Sequence, residues 1–519
     1  MTIFKSPFSD VPLRDISITE RLLEGLTGEP DRVVLIDGPT GRSLTAAGLM
    51  DAIKRLAGGL IKQGYGPGHC VALLAPNMPE FATVFHGVAY AGGTITTINP
   101  TYTAAEVHHQ LINSKAELMI TIPAFLPVAH DAAAGTAVRE IVVIGEAEGV
   151  ASLDSLMGKP LPSQVPVDLA RHVLVLPYSS GTTGLPKGVM LSHRNLVVNV
   201  DQGLSAIDMQ PGETTVAFLP FFHIYGMNVL MNMYLSHGAA MVTMPRFDLE
   251  ALLTHIQTHR VRSLLVAPPV AIALAKHPMV DKFDLSSLEF VVSAAAPLGP
   301  DMADALSQRL GCVATQGYGM TEMSPISHMM PHRKAKPGSV GPTSPNTETR
   351  IVDPATGANQ GQGQEGEVWV RGPQVMLGYL NNPEATAKTM DGDWLKTGDL
   401  GMMDEDGFLF IKDRLKELIK VKGFQVAPAE VEAELLVLPG IADAAVIGVP
   451  DDEAGEVPMA FVVLAAGAVQ DTVAIQAGLR KRIASYKVPP RIEFVEAIPK
   501  SASGKILRRV LRDRVKGQS

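Results

Sequence analysis

The sequence predicts an α/β protein with a large N-terminal domain of doubly wound sheets, a small β-rich subdomain, and a small α/β domain at the C-terminus. Three observations carry this. Short apolar runs alternate with helix-like stretches up to about residue 320, the rhythm of parallel strands joined by covering helices. From about residue 340 the texture changes to strand-like runs broken by Gly, Pro and Asp, such as ETRIVDPATG, EGEVWVRGP, GFLFIKDR and LKELIKVKG, which read as hairpins. A compact α/β stretch follows Arg414, so the main boundary falls near Arg414–Lys416.

In chain order, VALLAPN (71–77) is a buried strand and PEFATVFHGVAYAGG (79–93) the helix packed after it. TITTINP (94–100) and TAAEVHHQLINS (103–114) repeat the pair, and LMITI (118–122) and EIVVIGE (140–146) continue the series. The rhythm recurs over 213–246 and 262–320. Past the boundary, VAPAEVEAELLVLPG reads as helix, IADAAVIGVPD and VPMAFVVLA as strands, and AIQAGLRKRIASY as helix. No repeat of 20–50 residues suggests a solenoid or propeller.

With 519 residues the chain can bury several cores. Its 46% hydrophobic and 19% charged residues exclude a disordered composition. A formal charge of −9 argues against non-specific nucleic-acid binding. Two cysteines, Cys70 and Cys312, exclude a disulfide framework and offer no C-x-x-C pair. The longest apolar stretch, around Leu264–Ala275, holds Pro268 and Pro269 and is too short to span a bilayer. The first residues lack a secretory signal and the last four, KGQS, carry no S-K-L tripeptide. The expectation is a cytoplasmic protein without a membrane span, its oligomeric state left open.

The strongest local signal is LVLPYSSGTTGLPKGVMLSH (174–193). An apolar strand runs into Ser179, Ser180, Gly181, Thr182, Thr183, Gly184 and Lys187, and a second β-like run follows. Glycine permits close approach, backbone amides form an anion nest and the lysine adds charge, as a polyphosphate-binding loop requires. It is not a Walker loop, because Pro186 rather than glycine precedes the lysine and no helix follows. The rival reading is a polar surface turn.

This loop resembles the phosphate loop of the adenylate-forming superfamily, which comprises acyl-CoA synthetases, luciferases and peptide-synthetase adenylation domains. Further blocks match in the same order: QGYGMTE (316–322), EGEVWVRGPQVMLGYLNNPEAT (365–386), WLKTGDLG (394–401), DRLKELIKVKGFQVAPAEVE (413–432) and PKSASGKILRR (499–509). The resemblance spans nearly the whole chain and is nearest to the 4-coumarate–CoA ligases, including FFHIYGMN (221–228). It implies an N-terminal AMP-binding domain over 1–414, with its β-rich part about 340–414, and a mobile C-terminal lid over 415–519. It also implies a two-step reaction with ATP, Mg²⁺ and coenzyme A. A carboxylate attacks the α-phosphorus to give an acyl adenylate and pyrophosphate, and a thiol then displaces AMP. The substrate carboxylate is itself a nucleophile, so the protein has to position anions and stabilise charge on phosphate oxygens.

The resemblance assigns roles residue by residue. Lys505 matches the lysine bridging carboxylate and α-phosphate, a role suited to a flexible ammonium; Thr321 would bond the α-phosphate and Glu322 hold the magnesium. Gln316, Gly317 and Tyr318 would line the adenine slot, Asp399 would accept from the ribose hydroxyls, and Arg414 would contact ribose or phosphates. Lys416 matches the hinge of the lid. Lys420 and Gln425 match residues that face the cleft in the thioester-forming pose, and Lys422, Gly423 and Arg246 match the surroundings of the CoA tunnel. His223 matches a histidine at the mouth of the acyl pocket. Tyr225, Asn228, Ala294, Ala295, Gly319, Pro325 and Ile326 match pocket walls, with Tyr225 a polar handle for a ring hydroxyl. Two residues depart from the pattern: Ala294 stands where these ligases commonly have glycine, and Arg246 where they commonly have lysine.

Taken singly, several of these residues read otherwise. Lys416, Lys420 and Lys422 alternate with apolar residues as on a solvated edge strand. Lys505 precedes the basic pair Arg508 and Arg509, Glu322 could be a helix cap or a solvent-facing acid, and a lone histidine such as His223 is commonly a satisfied core residue. No second histidine lies three or four residues from His223, so a zinc site is weakly supported. The function expected is an ATP-dependent acyl-CoA ligase for 4-coumarate or a related hydroxycinnamate. The rivals are a medium- or long-chain fatty acyl-CoA ligase, a free-standing adenylation enzyme loading a carrier protein, a luciferase-like oxygenase and a non-catalytic nucleotide-binding module.

Overall fold

The computed structural model describes residues 2–179, 186–210, 212–331, 335–451 and 453–516. A large N-terminal domain and a smaller C-terminal domain each build on their own core. One apolar cluster runs from Ile18 to Leu409, with a satellite over Cys70–Leu176. Buried residues from Ile419 to Leu511 form two further clusters on the C-terminal sheet.

The N-terminal domain holds an eight-stranded sheet. Its interior strands, Thr94–Thr97, Cys70–Leu74, Leu118–Thr121 and Glu140–Val143, are parallel. Cys70–Leu74 and Leu118–Thr121 are buried at every residue, the pattern of parallel strands covered on both faces. Val173–Ser179 joins this sheet in parallel beside Thr94–Thr97, and Lys187–Ser192 returns antiparallel to it. The β-like run that the sequence predicts after the Ser/Gly/Thr segment is thus the strand Lys187–Ser192.

A second sheet places Thr214–Ala217 and Ala240–Thr243 parallel to Val33–Asp37. A third places Ser263–Val266, Phe290–Ser293 and Val313–Gly319 in parallel. Between Thr214–Ala217 and Ala240–Thr243 the chain is wound as a π-helix over Tyr225–Asn232, continued by the α-helix Met233–Ser236. Such turns are rare and cluster at functional sites. Its entry is tight: a Cβ on Gly226 would stand 2.2 Å from the Pro220 carbonyl oxygen.

The β-rich part is a six-stranded sheet including Glu348–Val352, Glu365–Arg371, Trp394–Met403 and Leu409–Arg414, all antiparallel. The C-terminal domain pairs Ile441–Asp451 with Gly455–Leu464 and carries the hairpin Ile419–Val421/Phe424–Val426 at one edge. Helix Pro428–Val437 packs on it.

One buried ion pair ties this small domain together. Arg508 donates to both Glu432 oxygens, at 2.6 and 2.8 Å. Burial pushes the Glu432 carboxyl up and the Arg508 charge opposes it. Arg508→Met would leave the carboxylate buried without its counter-charge, so the domain should lose about 3–5 kcal/mol. Both tryptophans of the chain, Trp369 and Trp394, lie in the N-terminal domain. Far-UV dichroism should therefore show an early melting step that tryptophan fluorescence does not follow.

Candidate functional site

The sequence-matched residues gather where parallel strands end. Ser179 closes Val173–Ser179, Ala294 follows Phe290–Ser293 directly, and Gly319 closes Val313–Gly319. Crevices at the carboxyl ends of parallel strands are where open α/β sheets bind ligands. Ser179 and Lys187 oppose each other in antiparallel register, so the two ends of the Ser/Gly/Thr run stand side by side. Ser180, Gly181, Thr182, Thr183 and Gly184 lie outside the described residues.

Two acids are buried in this crevice. Asp399, 4% exposed, accepts from the Tyr318 hydroxyl at 2.6 Å through Oδ2 and pairs with Arg414 Nε at 3.0 Å through Oδ1. Asp399 lies on Trp394–Met403 and Arg414 ends Leu409–Arg414, directly opposite in register. Burial and the Asp399 charge push the Tyr318 phenol well above its ordinary range, so it remains a donor. Glu322, also 4% exposed, sits in the short turn Thr321–Met323 and accepts from the Tyr379 hydroxyl at 2.8 Å. Lys187 Nζ lies 4.9 Å from the centre of the Tyr379 ring, a cation–π distance. Tyr379 thus joins the loop lysine to Glu322, a position the motif reading quoted within a block without singling out. Thr321 is buried beside Glu322, and Gln316 is buried with its side-chain oxygen accepting from the Leu298 amide at 2.8 Å.

Lys505 reaches this crevice from the C-terminal domain. Its turn rests on the third sheet's crossover, where a Cβ on Gly504 would stand 3.0 Å from the Ala267 Cβ. Burial and the Arg414 charge lower the Lys505 ammonium, and Glu322 and Asp399 oppose that shift. His223 feels the same ammonium: burial first, then Lys505, lower its imidazole to about 3. That shift favours the neutral ring, and its Nδ1 accepts from the Tyr225 amide at 3.3 Å.

The pocket matches divide. Tyr225 is buried and its hydroxyl donates to the Val292 carbonyl at 3.2 Å, which leaves it acceptor capacity only. Asn228 is 1% exposed, donates to the Ser324 carbonyl at 2.7 Å and accepts from Asn232 at 3.0 Å. Its amide is engaged in holding the wall. Gly319 admits no side chain, since a Cβ there would lie 2.0 Å from the Pro325 carbonyl oxygen. Ile326 is buried beyond it, while Ala294 is half-buried. Ala295 holds φ +76°, a backbone region that residues other than glycine seldom enter.

Other matches stand apart from this cluster. Lys416, Lys420, Lys422, Gly423 and Gln425 are exposed, with Lys420 and Gln425 paired across the hairpin. Arg246 is exposed on the loop after Ala240–Thr243, whereas Gly317 belongs with the crevice, half-buried between Gln316 and Tyr318 on Val313–Gly319.

The family profile "AMP-binding enzyme" matches residues 24–380, and "AMP-binding enzyme C-terminal domain" matches 430–505. The chain belongs to the AMP-binding enzyme family. This member is 42% identical to 4-coumarate–CoA ligase 5 of Oryza sativa subsp. japonica, over 98% of this chain and 97% of that relative. It is 41% identical to 4-coumarate–CoA ligase 1 of Petroselinum crispum, over 99% and 97%. Among solved structures it is similar to the anthranilate CoA ligase AuaEII in complex with anthranoyl-AMP, with a TM-score of 0.90, 28% identity and coverage of 97% and 98%. MatB from Rhodopseudomonas palustris matches with a TM-score of 0.87 when ATP bound (29% identity) and 0.78 as the apo form (30%), each over 96% of this chain and 99% of MatB. As an AMP-binding family member similar over its full length to 4-coumarate–CoA ligases, the protein is an AMP-forming acid–thiol ligase. No helix among the described residues is long and apolar enough to cross a membrane.

Proposed function

We propose that the enzyme converts 4-coumarate or a related hydroxycinnamate to its coenzyme A thioester through an acyl adenylate. The observation that carries this reading is Lys505, delivered by the C-terminal domain into the crevice that holds Glu322, Asp399, Arg414 and His223. In the first step a carboxylate oxygen of the acid bonds to the α-phosphorus of ATP, the bond from that phosphorus to the bridging oxygen breaks, and pyrophosphate leaves. Two anions approach each other in this step, and Lys505 and Arg414 offset their repulsion where Coulomb forces are little screened. Tyr318 and Arg414 fix the Asp399 carboxylate against the ribose hydroxyls, while Gln316 and Gly317 flank the adenine. Lys187 and Thr321 hold phosphate oxygens, with Ser179 through Gly184 supplying the rest of the cradle.

In the second step the thiolate of coenzyme A bonds to the acyl carbon, the acyl–oxygen bond to the phosphate breaks, and AMP leaves. The C-terminal domain, which we bound at residues 415–519, rotates about Lys416 between the steps. Lys420 and Gln425 then turn toward the crevice that Lys505 vacates, with Lys422, Gly423 and Arg246 along the path of coenzyme A. The higher superposition on ATP-bound than on apo MatB supports reading the present arrangement as the adenylating pose.

Magnesium fits the site through Glu322, a buried carboxylate on the phosphate side of the crevice. An ion of this kind needs only one or two carboxylates, with phosphate oxygens and water completing its shell. Bound there, it would neutralise charge on the phosphates.

The hydroxycinnamate reading rests on the relatives' names and on the Tyr225 hydroxyl, which donates to the Val292 carbonyl and so retains acceptor capacity that suits a ring hydroxyl as donor. Assaying acid-dependent pyrophosphate release and thioester formation across cinnamates, benzoates and fatty acids tests it. A 4-hydroxylated cinnamate should give the highest kcat/KM, and a medium- or long-chain fatty acid in that place would overturn the assignment. Ala294 tunes the same pocket. Ala294→Gly frees the volume of one methyl, and a methylene-scale change in an apolar pocket is worth about 10–200-fold in discrimination. Coumarate, caffeate and ferulate should gain kcat/KM relative to cinnamate, and a melting curve separates this from loss of stability. Unchanged ratios in a folded variant would place Ala294 off the substrate.

A further inference from the structure

Helix Pro428–Val437 of the C-terminal domain lacks caps of its own. Its N-cap is Ala427, whose side chain makes no capping bond, and its last turn carries no basic residue. A helix end leaves backbone N–H or C=O groups unpaired, with partial positive charge at the N-terminus and negative at the C-terminus. Both ends are nevertheless served, by residues of the other domain. Asp413 Oδ2 accepts from the Ala429 amide in the first turn at 2.8 Å. Asp413 belongs to strand Leu409–Arg414, which pairs with Trp394–Met403 in the N-terminal domain. At the far end Lys276, the last residue of helix Pro268–Lys276, donates to the Leu436 carbonyl at 2.6 Å and to the Ile441 carbonyl at 3.0 Å.

Between these ends the two domains meet directly. A Cβ on Gly299 would lie 3.0 Å from the Ala433 Cβ. Arg482 bonds Asp301 at 2.7 Å and also pairs with Glu434 of the same helix.

We propose that Lys276 and Asp413 form a latch on this helix, and that they are positioning residues which set the fraction of enzyme holding Lys505 in the crevice. The inference rests on the rotation described under Proposed function. Every contact of the latch crosses the Lys416 link, so a rotation about that link breaks all of them together. The Arg508–Glu432 pair lies within the moving domain and persists. The latch thus stabilises one pose only. Weakening it favours the thioester-forming pose at the expense of the adenylating one. Asp413 Oδ1 also accepts from the Arg414 amide at 2.7 Å, so Lys276 and Asp301 are the cleaner probes.

The test labels Leu13→Cys and Val469→Cys, which stand 57% and 82% exposed on opposite sides of the link, for energy transfer. The natural Cys70 and Cys312 are buried. With ATP the labelled enzyme should report one distance, and with an acyl sulfamoyl-adenosine plus coenzyme A another. In Lys276→Met the ATP-bound population of the first state should fall, and single-turnover adenylation should slow about 3–10-fold, the scale of a helix-end charge contact. Thioester formation from supplied acyl adenylate should hold or rise. Lys276→Arg should restore both readouts, and Asp301→Asn should repeat the Lys276→Met effect more weakly. Equal slowing of both half-reactions, or unchanged populations in a Lys276→Met variant whose parent switches normally, would overturn the latch alone. A parent that reports one distance under all ligands would overturn the rotation and the latch with it.

Discussion

Lys505→Ala should reduce adenylation from ATP by about 10²–10³-fold, the scale of removing one preorganised group that stabilises transition-state charge. The thioester step should survive. Enzyme supplied with pre-made acyl adenylate and coenzyme A should form product at close to the parent rate, because the proposed rotation gives that step to the opposite face of the C-terminal domain. The split follows from position. Lys505 is within electrostatic reach of Arg414, Glu322 and Asp399, while Lys420 and Gln425 stand in solvent. Single-turnover measurements of each step decide it, and normal adenylation by the variant would remove Lys505 from the reacting centre.

The second large effect is the mirror image. Lys420→Ala or Gln425→Ala should slow thioester formation by about 10–10²-fold, as expected for a group that orients a reactant rather than reacts, and leave adenylation within about twofold. Both side chains project from the solvent face of the hairpin Ile419–Val421/Phe424–Val426, whose other face packs Ile419, Val421 and Val426 into the core. Substitution there should leave stability nearly unchanged, since exposed sites rarely contribute more than about 0.5 kcal/mol. Equal losses in both steps would count against two faces serving two reactions.

The sequence makes the catalytic constellation legible where chemistry needs unusual residue types in short runs. The run from Ser179 to Lys187 has the residue types of an anion loop, and the β-like run read after it corresponds to the strand Lys187–Ser192. Asp399 and Arg414 lie fifteen residues apart in sequence, and their ion pair follows only from strand register across Trp394–Met403 and Leu409–Arg414. Tyr379 was not legible, because a tyrosine in a Gly-Tyr-Leu run signals strand propensity, and its bond to Glu322 spans 57 residues. The engaged amide of Asn228 is another product of tertiary packing, since its partners come from the strand-end loop at Ser324 and from the next π-turn. The positive φ of Ala295 was invisible because glycine, the residue that marks such a position, is not used there. The capping of Pro428–Val437 from another domain could not be read either: the local sequence shows only the missing cap.

The most direct test of the central claim follows oxygen. With 4-coumarate carrying two ¹⁸O atoms in its carboxylate, ATP and coenzyme A, attack by the carboxylate on the α-phosphorus predicts AMP containing one ¹⁸O, unlabelled pyrophosphate, and a thioester retaining the other. Unlabelled AMP, or formation of ADP and phosphate in place of AMP and pyrophosphate, would contradict an acyl-adenylate route through this crevice.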